Sequence, residues 1–253
     1  MSQEAIEQLI SLVFPALPQT LYQDLQRRIQ DYFSAGDIQD ISQLPVKPQD
    51  FIRMMLFSPF TAEHITANPL ILDRLGKSGD IDTSYDPGAF KNKLAAFICD
   101  SHDNAGLKAR MLEFKVYEII RIAWRDLTGA APLSETMADL SDLARACISC
   151  GFEQLYPGLT RKWGTPRDKG GHTQNIVVLG MGKLGAGELN FSSDIDLIFV
   201  YPNSGQTDGE RSISNDEFFT KLCREFIKLF SMDNGIHFYR VDTRLRPFGD
   251  SGP

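Results

Sequence analysis

The chain has 253 residues, 42% hydrophobic and 23% charged, an ordinary globular balance that excludes disorder over its whole length. Lys and Arg number 26 against 33 Asp and Glu, a formal net charge of -7 that argues against a nucleic-acid binder working by phosphate neutralisation. No apolar run approaches the about 20 residues that a membrane helix needs, so no membrane association is expected. Met1-Ser-Gln-Glu-Ala-Ile-Glu-Gln lacks a basic segment followed by an apolar stretch, so no secretory signal is read there. With only four cysteines the expected setting is cytoplasmic and reduced.

Up to about Gly151 the apolar residues recur at spacings of three and four, which predicts amphipathic helices. Short helices are expected at about 3–13, 20–33, 48–57, 61–67 and 69–75, punctuated by prolines and Gly36. A longer one is expected over 108–127, with Val116, Ile119, Ile120, Ala123 and Leu127 on one stripe and Glu118, Arg121 and Arg125 pointing elsewhere. The next starts near Ser134, where acids occupy the first turns, and is expected to stop at Gly151. Cys147 and Cys150 lie within it. A lone C-x-x-C without a second metal-binding half reads as buried helical cysteines.

The 156–173 stretch holds Pro157, several glycines and Arg161, Lys162, Arg167 and Lys169, with little periodicity, and reads as a linker or surface loop. The pattern then changes. Asn175-Ile-Val-Val-Leu predicts a buried strand, Asp194 to Tyr201 a second, 215–232 a helix with Phe218, Phe219, Leu222, Phe226 and Leu229 inward, and 237–245 a last strand. The expected domains are a helical region over 1–155, the 156–173 linker, and 174–253 as the start of a catalytic core.

Asp194 and Asp196 lie two apart on a predicted strand, so both carboxylates project from one face. Two anions held together suit a hard divalent cation such as Mg²⁺, which binds through one or two carboxylates plus substrate phosphates. A pair of solvated acids is the plain alternative. Asp242 on the last strand shares its face with Arg244 and Arg246, while Val241, Thr243 and Leu245 face the other way. Guanidinium forks suit phosphate oxygens, but these arginines are equally suited to a structural network with the acids.

Gly180, Gly182, Gly185 and Gly187 permit positive φ and close backbone approach, which would let amides and Lys183 meet a phosphate. The Walker A spacing is absent, and no clear helix follows the Gly-x-Gly-x-x-Gly run, so the dinucleotide reading is weak. Ser192 and Ser193 could contact phosphate, though capping the strand entry is the simpler role. His64, His102, His172 and His237 sit in unlike contexts and make no Ser-His-Asp site.

Gly180-Met-Gly-Lys-Leu-Gly-Ala-Gly-Glu-Leu-Asn-Phe-Ser-Ser-Asp-Ile-Asp-Leu-Ile-Phe and Val241-Asp-Thr-Arg-Leu-Arg-Pro-Phe-Gly-Asp-Ser-Gly-Pro resemble the bacterial glutamine synthetase adenylyltransferase/adenylyl-removing family. Asn190-Phe-Ser-Ser and Pro247-Phe-Gly-Asp-Ser-Gly-Pro are similar to its N-terminal, adenylyl-removing copy. The resemblance implies an α+β fold: a helical region followed by a DNA polymerase β-type nucleotidyltransferase core with a small mixed sheet. In that family the core continues beyond the position of Pro253, so this chain is expected to carry only its first part.

The implied reaction is attack of orthophosphate on the adenylylated tyrosine of glutamine synthetase, giving ADP. The reverse-sense transfer from ATP and a non-catalytic docking module are the alternatives. Asp194, Asp196 and Asp242 would be the catalytic acids and hold Mg²⁺. Gly180, Gly182, Lys183, Ser192, Ser193, Arg244 and Arg246 would meet phosphate or adenine nucleotide. The dipeptides Gly180-Met181 and Gly182-Lys183 depart from the Gly-Ser or Gly-Gly usual in the wider superfamily. A PII-type signal protein is an implied partner of the full-length enzyme.

Overall fold

A computed structural model describes residues 3–99, 103–231 and 238–243. The fold is α+β, with ten α-helices and five short strands among the described residues. The residues group into two compact units, Met1–Tyr85 with Val116–Thr136, and Asp86–Lys115 with Met137–Pro253. No helix among the described residues is long and apolar enough to cross a membrane.

The first unit is helical. Helices α1 (Gln3–Val13), α2 (Gln19–Ala35), α3 (Pro48–Phe57), α4 (Pro59–Ala67) and α5 (Leu70–Ser78) match the proline punctuation closely. Pro48 and Pro59 open their helices, where the missing N–H costs nothing. Tyr32, Phe33 and Phe51 cluster in the core of this unit, with ring centroids 4.9 to 6.1 Å apart.

Helix α7 (Asn104–Leu127) enters this unit at Val116, with Val116, Ile119, Ile120 and Ala123 of its expected stripe buried. Glu118, Arg121 and Arg125, which point away from that stripe, are also almost wholly buried. Arg121 Nε donates to Glu118 Oε2 at 2.7 Å, and its guanidinium lies 3.7 Å from the centroid of the Tyr85 ring. Arg125 donates to the Ile81 carbonyl at 2.9 Å, Ser84 Oγ at 3.0 Å and Glu135 Oε1 at 2.6 Å. The 79–85 segment has a 3-10 turn, Asp80–Asp82, and little other regular structure. Backbone carbonyls of this segment find donors in the two arginines, which is why charges sit where helical periodicity predicts a polar face.

The second unit begins with α6 (Ala89–Ile98), a helix the periodicity did not single out. Helix α8 (Leu133–Trp163) runs through this unit and past Gly151, where a stop was expected. A Cβ on Gly151 would sit 3.3 Å from the Phe226 and Phe230 rings, so the glycine serves close helix packing rather than termination. The helix ends at Gly164, whose φ is +85°. Half of the expected 156–173 linker is therefore helix, and β1 (Pro166–Asp168) follows at once. Cys147 and Cys150 are buried on α8, as the helical pattern implied, and burial pushes the Cys150 thiol up to about 11.

Strand β1 pairs antiparallel with β4 (Gly205–Thr207), a ribbon absent from the sequence reading. The main sheet has the order β2-β3-β5, with β2 (Val177–Gly180) antiparallel to β3 (Ile195–Val200) and β3 parallel to β5 (Val241–Asp242). Helix α10 (Asn215–Phe230) is capped by Ser214 Oγ, which accepts from the Glu217 amide. Phe152 of α8 stacks on Phe226 of α10 at 4.2 Å, and Phe199 of β3 meets both. One face of the sheet is thereby buried, and the other carries Val177 and Leu179 at 45% and 44% exposure.

Candidate active site

The alternation of β3 sorts its residues. Ile195 and Leu197 are buried, while Asp196 is half-buried on the opposite, open face. The β3–β5 register sets Ile195 beside Val241 and Asp196 beside Asp242, so the two carboxylates come from adjacent parallel strands at the same level. The Ile195 amide donates to the Arg240 carbonyl at 2.9 Å and secures that register. Asp194 precedes the strand and is exposed, with its carboxylate 3.3 Å from Arg240 Nε.

Asp196 and Asp242 are thus brought together by pairing, while Asp194, ahead of the strand, is held by Arg240. Among the described residues, no group of three or more His, Cys, Asp and Glu is preassembled to hold a metal ion. The donor set present, two carboxylates on neighbouring strands, still fits Mg²⁺, which is commonly held by one or two carboxylates with substrate phosphates completing the shell.

The glycine turn is built around the same carboxylate. Gly182 has φ +53°, and a Cβ there would lie 2.9 Å from Asp196 Oδ2. The Met181 amide donates to the Asp196 backbone carbonyl at 2.9 Å, tying the turn to β3. A helix does follow the turn, correcting the sequence reading, but α9 (Gly182–Ala186) has only five residues. Its Gly185 packs on the Gly180 carbonyl, 2.6 Å from the Cβ position, which no larger residue could occupy without displacing the backbone. Lys183 is exposed on α9.

Ser192 and Ser193 have local partners. Asn190 Oδ1 accepts from the Ser192 amide at 3.2 Å and from Ser193 Oγ at 2.7 Å, a side-chain turn that leads the chain into β3. Arg244 and Arg246 lie outside the described residues, as do His102 and His237. The sequence reading missed Arg240. Spacing within its own segment gave no sign of the ion pair, because the partner, Asp194, lies on another strand's approach.

Residues 48–253 match a family described as glutamate-ammonia ligase adenylyltransferase. A bifunctional glutamine synthetase adenylyltransferase/adenylyl-removing enzyme of Thioalkalivibrio sulfidiphilus is 41% identical over 238 residues, covering 94% of this chain and 24% of the relative. Enzymes of the same name from Pseudomonas aeruginosa and Vibrio parahaemolyticus are 41% and 37% identical, each over 94% of this chain and 25% of their own length. The chain spans about a quarter of the length of these relatives. A match over residues 48–253 takes in both the glycine turn and the two paired strands, and the chain belongs to the glutamate-ammonia ligase adenylyltransferase family.

Proposed function

We propose that this chain carries the acids of a metal-dependent nucleotidyl transfer acting on glutamine synthetase, and that the transfer is removal of AMP. The observation that carries the reading is the pairing of Asp196 with Asp242 on the open sheet face, with Gly182 closed against the Asp196 carboxylate. Asp196 and Asp242 would hold Mg²⁺, with Asp194 ahead of the strand. Mg²⁺ held there would supply positive charge to the phosphate oxygens of the transferred group.

In the proposed reaction an orthophosphate oxygen attacks the phosphorus of the tyrosyl-AMP ester. The bond from phosphorus to the tyrosine oxygen breaks, the phenolate takes a proton, and ADP leaves with unmodified tyrosine. The chain's own contribution is orientation. Gly182 borders the Asp196 carboxylate, Lys183 follows it on α9, and Gly185 packs closely on the Gly180 carbonyl. Arg244 and Arg246 follow Asp242 directly in sequence and supply donors suited to phosphate. Support for removal rather than addition comes from the similarity of Asn190-Phe-Ser-Ser and Pro247-Phe-Gly-Asp-Ser-Gly-Pro to the adenylyl-removing copy. Adenylylated glutamine synthetase is the proposed substrate, with control by a PII-type protein acting through longer family members.

Product identity tests the reading. Adenylylated glutamine synthetase with phosphate and Mg²⁺ should yield ADP, and Asp196→Asn should abolish it. Pyrophosphate from ATP and unmodified glutamine synthetase would assign addition instead. Binding of glutamine synthetase with neither product would leave a docking module.

A further inference from the structure

Strand β5 is short. Two residues pair with β3, so the ladder alone gives Asp242 little support. A slip of one residue would carry Asp242 to the face now held by Val241, away from Asp196. Besides the Ile195 amide on the Arg240 carbonyl, a contact from beyond the sheet holds the chain as it enters β5.

The entry is anchored from α7. Lys115 Nζ donates to the Phe238 carbonyl, and the same ammonium stands 4.2 Å from the centroid of the Tyr239 ring and 5.6 Å from that of Phe238. Phe238 is itself buried, edge-on to Phe230 of α10 with centroids 4.6 Å apart. Ring packing sets the position of residue 238 but leaves the direction of its carbonyl open. A charged donor selects that direction, and with it the pleat of the residues that follow.

A buried ammonium is an expensive anchor. Lys115 is half-buried among aromatic rings with Cys147 nearby, and burial pushes its pKa down to about 8. An apolar residue would fill the space without that desolvation cost. We propose that Lys115 is a positioning residue: its ammonium fixes the peptide between Phe238 and Tyr239 so that Asp242 enters β5 opposite Asp196. This role rests on the nucleotidyl-transfer reading of the two acids.

The test uses Mn²⁺ as the probe, titrated into the 253-residue chain and followed by electron paramagnetic resonance, with hydrogen exchange at the amides of 239–243 and 215–230. Asp196→Asn and Asp242→Asn should each weaken Mn²⁺ binding, as the functional reading requires. Lys115→Met should weaken it about tenfold or more, as is typical when a group that orients a ligand is lost. It should also speed exchange at 239–243 while leaving α10 protected, and Lys115→Arg should restore both.

If Lys115→Met does not fold, Lys115→Gln, one atom shorter and uncharged, is read the same way. Wild-type Mn²⁺ affinity and exchange in the lysine variants, alongside weakened aspartate variants, would overturn the role of Lys115 alone. Aspartate variants that bind Mn²⁺ like the wild type would sink the functional reading, and the proposed role of Lys115 with it.

Discussion

The two units use charge in opposite ways. In the first, Glu118, Arg121 and Arg125 are buried and surrounded by donors and acceptors, so each charge is matched within the fold. In the second, Asp194 is exposed and Asp196 and Asp242 are half-buried, with two carboxylates set side by side by strand register. Like charges directly opposite one another on a sheet destabilise it. The first arrangement serves the fold. The second sets two like charges at one register position, and in the function proposed here it serves a cation and its phosphate ligands.

The largest expected effect breaks this contrast at the acid pair. Asp196→Asn should reduce Mg²⁺-dependent turnover to background, measured as ADP release. Its melting midpoint should stay the same or rise, with a gain of up to about 1 kcal/mol as the like-charge contact is relieved. A marked loss of stability would show that Asp196 is a structural acid like Glu118.

Next comes the buried network. Arg121→Met should destabilise the protein by about 3–5 kcal/mol in urea unfolding, because the Glu118 carboxylate is left buried without its charged partner. The double variant Glu118→Leu, Arg121→Met should recover most of that loss. If the single variant costs less than about 1 kcal/mol, water reaches the pair and the contrast with the acid site is weaker than the burial indicates.

Gly182→Ala sharpens the comparison from the other side. A side chain at φ +53°, with its Cβ 2.9 Å from Asp196 Oδ2, should cost about 1–2 kcal/mol and push the carboxylate aside. Mn²⁺ affinity should fall while the helical circular dichroism signal remains.

The smallest effect is in acid. Burial opposes ionisation of Glu135, but hydrogen bonds from Arg125 and Ser84 outweigh it and hold its carboxyl below the ordinary 4.5. Its folded value is therefore the lower one. The stability it contributes is present above about 4.5 and is lost as pH falls through the folded value. Glu135→Gln should flatten that part of the stability profile between neutral and acid pH, and an unchanged profile would remove Glu135 from the network.

Local signals marked much of this fold. Proline and serine placed the starts of α3, α4 and α10 because they act on the first turn alone, through φ and a cap. The i, i+2 spacing of Asp194 and Asp196 and the alternation through Ile195 and Leu197 put the acid pair at the head of a strand, since side-chain direction follows strand geometry residue by residue. The motifs that resemble the family lie on the turn and strands that meet at this site.

Tertiary structure decided the rest. Gly151 reads as a stop from its neighbours, yet the rings of α10 pack closely on it and the helix continues. Glu118, Arg121 and Arg125 read only as pointing away from the apolar stripe, yet the carbonyls and side chains of the 79–85 segment and Glu135 draw them inward. That Asp242 faces Asp196 depends on a register between strands more than 40 residues apart, and on Lys115 from a helix more than 120 residues before the strand entry. Each of these follows from contacts between distant parts of the chain, and periodicity within one segment carries no record of what will pack against it.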